Sequence, residues 1–192
     1  QAKKYGVNIA FGVVLAKGDK AGNCLAVVSG QGVLLTTYTK IHPFSYANED
    51  AHYQAGNSLK KVNIGGATIG LTICYDLRFP ELYQGYSKDC QVLLNIANWP
   101  ERRVTHWKAL IKARAIENQV FVVGVNRIGK DGNGLQYVAS SEIVSPYGEE
   151  LKGVSLSEEV AVYEIDLGEV AQYRKEFPVK NDRKITLYKD IL

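Results

Sequence analysis

Residues Gly70–Tyr83 read GLTICYDLRFPELY. An apolar run with alternating β-branched residues stops at Cys74, and a charged segment marked by Pro80 follows at once. The pattern predicts a strand over Ala67–Cys74, then a helix with Pro80 in its first turn, running to about Ser87. Cys74 either closes a core strand as a small apolar residue, or the strand exists to hold a thiol at its tip. Taken alone, packing is the commoner fate of such a cysteine.

Working outward, Val92–Ala97 (VLLNIA) is a continuous apolar run of the kind that forms a strand buried on both faces. Asn98-Trp99-Pro100 ends it, and Glu101–Asn118 carries Val104, Trp107, Ile111 and Ala115 at helical spacing. Val120–Val125 is another buried strand. Upstream, Val7–Leu15, Asn23–Ser29 and Val33–Tyr38 read as three strands in successive hairpins, with Gly30-Gln31-Gly32 as one turn. Lys40–Gly56 is irregular and polar, and loops of that length in compact domains are often functional. Leu59–Ile64 is a further strand before the cysteine strand. Asp131–Gly134 (DGNG) is a turn signal leading to strands at Ser141–Ser145 and Glu159–Ile165. Asp166 and Glu169 resemble a capping box opening a helix to about Phe177, and 178–192 reads as a C-terminal extension. Buried strands alternating with amphipathic helices imply one layered α/β domain with a mixed sheet over residues 1–192.

At 192 residues with 46% hydrophobic content, the chain can bury a core without disulfide staples. The net charge of +3 is spread among both signs, so no stripe points to nucleic acid or an anionic membrane. No apolar run approaches the ~20 residues a bilayer-spanning helix needs, and no stretch reads as a signal peptide. Cys24, Cys74 and Cys90 are an odd, scattered set without a CxxC pair, which argues against disulfides and structural zinc and for a reducing, cytoplasmic setting. The chain has no methionine and opens on QAKKYG, which reads as the end of a helix begun earlier. Residue 1 is therefore expected to be internal to a longer protein.

Strand ends in α/β sheets collect catalytic groups because the sheet is rigid and its tip accessible. At such a turn the backbone N–H of Tyr75 could stabilise an oxyanion forming beside Cys74. A thiol nucleophile also needs a cation to favour the thiolate and a group to carry protons. Cys24 and Cys90, one inside a hairpin strand and one opening a buried strand, keep the packing reading.

GLTICYDLRFPELY closely resembles the nucleophile motif of the nitrilase superfamily, the carbon–nitrogen hydrolases. Tyr38-Thr39-Lys40-Ile41-His42-Pro43-Phe44 resembles that family's lysine motif, with Thr39 where arginine is common and Pro43 where leucine is. Glu49 falls where the family places an accessory glutamate. The resemblance covers essentially the whole chain. It implies that Cys74 attacks an amide or nitrile carbon and forms a thioester. It further implies that Lys40, with the Tyr75 N–H, stabilises the oxyanion and that Glu49 orients Lys40 or the substrate. It also implies an αββα sandwich, a homodimer or higher homo-oligomer packed through helices, and chemistry without metal or organic cofactor. The family's general-base glutamate lies in a strand-helix-strand-helix segment upstream of residue 1, and no residue here matches it. The fold is thus expected to be N-terminally incomplete, with the base on a segment outside this sequence; the rival is a truncated, inactive member with a structural role.

Asn98–Gln119, Asn126–Tyr137 and His42–Gly56 look like the omega-amidase branch, which hydrolyses the terminal amide of short α-keto acid amides such as 2-oxoglutaramate and 2-oxosuccinamate. Asn98 and Trp99, after a strand beside the cysteine strand, are candidate pocket residues; for Trp99 core packing is the equal alternative, and for Trp107 it is favoured. A keto-acid carboxylate calls for an arginine fork. Arg102, Arg103 and Arg127 are open candidates, whereas Arg78, part of the general motif, reads as a structural ion pair. His42, His52 and His106 keep a papain-like Cys–His enzyme on the table, with His52 a candidate pocket neighbour. An amidase for N-carbamoyl compounds and a redox thiol are the remaining alternatives.

Overall fold

The computed structural model describes residues 1–157 and 159–191. Its strands are β1 (Ile9–Lys17), β2 (Lys20–Val28), β3 (Leu34–Thr39), β4 (Lys61–Ile64), β5 (Ala67–Ile73), β6 (Val92–Ala97), β7 (Phe121–Asn126), β8 (Gly129–Lys130), β9 (Gln136–Tyr137), β10 (Glu142–Val144), β11 (Val154–Ser155) and β12 (Ala161–Val162). Its helices are α1 (Ala2–Tyr5), α2 (Glu49–His52), α3 (Pro80–Tyr86), α4 (Val104–Asn118), α5 (Gly168–Glu176) and α6 (Ile185–Ile191).

The hairpins β1-β2-β3 form a three-stranded antiparallel sheet. A mixed sheet of order β10-β7-β6-β5-β4 faces it, with β5, β6 and β7 mutually parallel. Parallel neighbours need crossovers, and α3 and α4 supply them. Strand alternation then sorts the side chains. Ile69, Leu71 and Ile73 of β5 point between the sheets, where they meet Leu25, Val27 and Tyr38. Leu93 and Val122 point the other way, onto Tyr83, Tyr86, Trp107 and Ile111 of α3 and α4. Gly70 lies on that helix-facing side, where a Cβ would stand 2.7 Å from the Tyr86 ring, so the helix seats only on a bare backbone.

The long loop after β3 is ordered as a 3₁₀ turn, Ser45–Ala47, and the single-turn helix α2. The expected helix over Glu101–Asn118 opens as a 3₁₀ turn, Glu101–Arg103, before α4 proper. The expected strand at Glu159–Ile165 contracts to β12. The expected capping box is replaced: α5 starts at Gly168, whose N–H donates to Asp166 Oδ1 at 2.8 Å, and Glu169 falls in the first turn. Segment 178–192 docks through a Lys180 Nζ bond to Ser87 O at 2.6 Å and an Arg183 bond to Gln84. Its last residue, Leu192, lies outside the described residues. Among those residues no helix is long and apolar enough to cross a membrane.

Gly56 closes the loop by donating to Lys40 O at 2.7 Å, and a Cβ there would lie 2.1 Å from Thr39 O. Backbone cannot yield as a side chain can, so Gly56→Ala is expected to cost about 1–3 kcal/mol or more in urea unfolding. Gly132→Ala, which meets nothing within 4 Å, should be near neutral. Equal midpoints for the two variants would contradict this reading of the loop.

Candidate active site

The parallel strands β5, β6 and β7 end at one edge of the large sheet, and the residues just past them are Cys74, Asn98 and Arg127. They line a cleft of about 710 Å³, shared with Lys40, Glu49 and residues 10–14 of β1. Cys74 has a φ of 47°, a left-handed conformation uncommon for a residue with a side chain. Its surroundings hold it there. The Cys74 N–H donates to Asn95 Oδ1 at 3.0 Å, and Asn95 Nδ2 donates to Thr72 Oγ1 and Tyr83 OH, both at 3.0 Å. Past the cysteine the chain tightens into a 3₁₀ turn, Cys74–Arg78. The Tyr75 N–H falls in the first turn, where a helix has no internal acceptor to offer. The Tyr75 ring packs on Phe44 and Phe79, with centroids 4.8 and 5.2 Å away.

Asp76 governs this turn. Fully buried, it accepts from Ile73 N at 3.0 Å, Tyr38 OH at 2.7 Å, His42 N at 3.0 Å and pairs with His42 Nδ1 at 2.9 Å. Burial, then the Asp76 charge, push the Tyr38 phenol far up, so it stays a donor. Lys40, two residues on from Tyr38, is buried and bonds Glu49 Oε2 at 2.5 Å. Glu49 also accepts from Phe44 N at 2.6 Å and Asn23 Nδ2 at 2.8 Å. Burial would raise the Glu49 pKa, but the hydrogen bonds from Lys40 and Asn23 outweigh it and hold the carboxyl below its ordinary value.

The Cys74 thiol is shifted the other way. Burial pushes it up; the Lys40 charge and the Asn98 carbonyl region, 3.9 Å from Sγ, pull it down without prevailing. The resting sulfur is therefore a thiol, and attack requires a proton acceptor.

Of the six expected site residues, Cys74, Lys40, Glu49 and Asn98 share the cleft, and Tyr75 flanks it through the turn. Trp99 sits elsewhere: its ring is buried against Trp107, and Nε1 donates to Arg103 O at 2.7 Å. Arg78 makes no ion pair among the described residues; its guanidinium lies 5.0 Å over the Trp99 ring and its Nη2 3.3 Å from His106 Nδ1. His42 is held by Asp76 and stacks on Phe79, His52 is exposed on α2, and none of the three histidines bonds Cys74 among the described residues. That removes the papain-like arrangement. Sequence reasoning missed Asp76, Asn95 and Asn23. Of these only Asn95 carried a signal, as the one polar residue inside VLLNIA.

Residues 1–175 match the family model described as carbon-nitrogen hydrolase. The chain belongs to the carbon–nitrogen hydrolase family. It is 36% identical over 182 residues to the omega-amidase YafV of Escherichia coli, covering 85% of this chain and 71% of that protein. To the 2-oxoglutaramate amidase of Bacillus subtilis it is 35% identical over 189 residues, covering 97% and 73%. The solved structure of XC1258 from Xanthomonas campestris, a CN-hydrolase superfamily protein with an arsenic adduct in its active site, superposes with a TM-score of 0.87. That match has 34% identity and covers 95% of this chain and 71% of that one. The sandwich expected from the motifs is thus the fold of this carbon–nitrogen hydrolase.

Iodoacetamide should label Cys74 before the fully buried Cys24 and Cys90. Its rate should rise with pH about a midpoint above the ~8.5 of a free thiol, and Lys40→Met should move that midpoint higher still. A wild-type midpoint below 8.5 would show that Lys40 outweighs burial, contrary to this account.

Proposed function

We propose that this carbon–nitrogen hydrolase removes ammonia from the terminal amide of short α-keto acid amides such as 2-oxoglutaramate and 2-oxosuccinamate. One observation carries the reading: a cysteine held at positive φ on a strand tip faces the same cleft as a buried lysine–glutamate pair. The names of the relatives, omega-amidase and 2-oxoglutaramate amidase, support the substrate class.

In this mechanism Cys74 Sγ loses its proton and bonds the amide carbon, and the carbonyl oxygen becomes an oxyanion facing the Tyr75 N–H and Lys40 Nζ. The C–N bond then breaks, a proton reaches the leaving nitrogen, and ammonia departs from a thioester. Water attacks the thioester, yielding the carboxylic acid and the free thiol. Glu49, carrying three donors and a lowered pKa, is a poor base; it fixes Lys40 against the substrate instead. We assign the proton carrier to a glutamate outside these 192 residues, as the family pattern implies. The same pattern, with three unpaired cysteines, supports a homo-oligomer working in a reducing, cytoplasmic setting.

Ammonia release from 2-oxoglutaramate by the whole protein tests this. Cys74→Ala should lower turnover by 10³-fold or more, and unchanged turnover would remove Cys74 as nucleophile. Hydrolysis of N-carbamoyl compounds alone would move the chain to another branch of its family. The 192 residues by themselves should be inactive, and turnover at that mass would overturn the assignment of the proton carrier.

A further inference from the structure

Past the ends of parallel strands the backbone N–H and C=O groups lose their ladder partners, and buried ones must find others. β6 and β7 stay in register as far as Ala97 and Asn126, and Arg127 N donates to Ala97 O at 3.1 Å. Two residues further on, the Asn126 side chain takes the place of a neighbouring strand. Its Oδ1 accepts from Trp99 N at 2.7 Å, and its Nδ2 donates to Trp99 O at 2.9 Å. Such two-way pairing needs a donor and an acceptor side by side, as a primary amide has. Nδ2 also donates to Ser140 Oγ at 3.0 Å, and the side chain is buried, so it is fixed in one orientation.

The bonds to Ala97 and to Trp99 grip the chain on both sides of Asn98. Among the described residues, the one donor that the Asn98 carbonyl meets is the Cys74 thiol, with Sγ 3.9 Å away. A neutral thiol is a weak donor, and burial keeps Cys74 neutral at rest. An S–H aimed at Asn98 O leaves the sulfur lone pairs for the rest of the cleft, where an amide carbon must approach. So long a contact is lost when the turn shifts slightly. Reacting atoms must meet at about 3–3.5 Å, and a misplacement of about 1 Å can slow a reaction 10²-fold.

Asn126 is itself anchored from behind. Ser140, its other partner, accepts from Trp107 Nε1 on its carbonyl at 2.7 Å, and the Trp107 ring packs on Trp99 with centroids 5.4 Å apart. The asparagine thus ties α4 and β7 to the turn that follows β6.

We propose that Asn126 is a positioning residue for the reaction: through the Trp99 backbone it fixes the Asn98 carbonyl that orients the Cys74 thiol. The inference rests on the amidase reading above, and in it Asn126 acts on the sulfur only through Asn98.

The test is single-turnover formation of the Cys74 thioester by the whole protein with 2-oxoglutaramate, followed by acid quench at two pH values. A first-order rate constant does not depend on how much of a preparation is folded. Asn126→Asp is isosteric. Ionised, it accepts from Trp99 N but has no donor for Trp99 O; protonated, its one O–H restores both bonds. Burial raises the pKa of such a carboxyl. Relative to wild type at the same pH, Asn126→Asp should acylate roughly 10- to 100-fold slower at about pH 8.5 and within about threefold at about pH 5.5. The half-saturating substrate concentration should stay within about threefold of wild type throughout. Asn126→Leu, with neither donor nor acceptor, should be equally slow at both pH values; if it does not fold, the two-pH comparison within Asn126→Asp decides alone. A rate near wild type at the higher pH, or the same deficit at both, would overturn the proposal while the amidase reading survives. A deficit carried by the half-saturating concentration would overturn it too, by placing Asn126 in substrate binding. If wild type forms no thioester with any amide acid, the amidase reading fails and the inference with it.

Discussion

A single buried carboxylate ties the two halves of the site together. Asp76 accepts hydrogen bonds from Tyr38 at the end of β3, from His42 in the following loop, and from Ile73 at the tip of β5. Burying a carboxylate costs several kcal/mol unless its oxygens are satisfied, and here donors from both sheets satisfy them. The requirement works in reverse as a positional constraint. The donors cannot separate without stranding the charge, so the strand bearing Lys40 is locked to the turn bearing Cys74. Residues 38 and 76 are far apart in sequence, yet through this one group the lysine and the thiol open into the same cleft.

The charges around that cleft are arranged for attack on demand rather than for a standing thiolate. Lys40 is committed to Glu49, and burial of Cys74 outweighs the pull of the ammonium. A neutral thiol resists adventitious oxidation and alkylation, since the thiolate is the reactive form. The strained φ of Cys74 costs of order 1–3 kcal/mol and is held by the Asn95 bond on one side and Asp76 on the other. In the 3₁₀ turn that follows, the Tyr75 N–H lies in the first turn and has no internal partner.

How much of this could be read from the sequence follows from where the information sits. The strands and α4 were legible because apolar runs and the 3.6-residue spacing of Trp107, Ile111 and Ala115 are local properties. Lys40, Cys74 and Glu49 were legible through motif likeness, and geometry places them together. Asp76 and Asn95 were not, because their value lies in bonds spanning 21 to 38 residues; the polar Asn95 inside an apolar run marked a buried partner without saying which. Trp99 was assigned by its place after a strand beside the cysteine strand, and Arg78, as part of the general motif, was read as a structural ion pair. In the fold they satisfy each other in a cation–π contact away from the cleft. Glu169 matched a capping pattern, but Asp166 takes the Gly168 N–H two residues on, and the helix begins there with Glu169 inside its first turn.

The central claim is that Cys74 carries the acyl group. The direct measurement is acid quenching of the active protein during turnover of 2-oxoglutaramate, followed by proteolysis and mass spectrometry of the cysteine peptides. The account predicts an acyl adduct on the peptide containing Cys74, absent from those containing Cys24 and Cys90. An adduct on either of those cysteines, or steady ammonia release with Cys74 unmodified at every quench time, would contradict it.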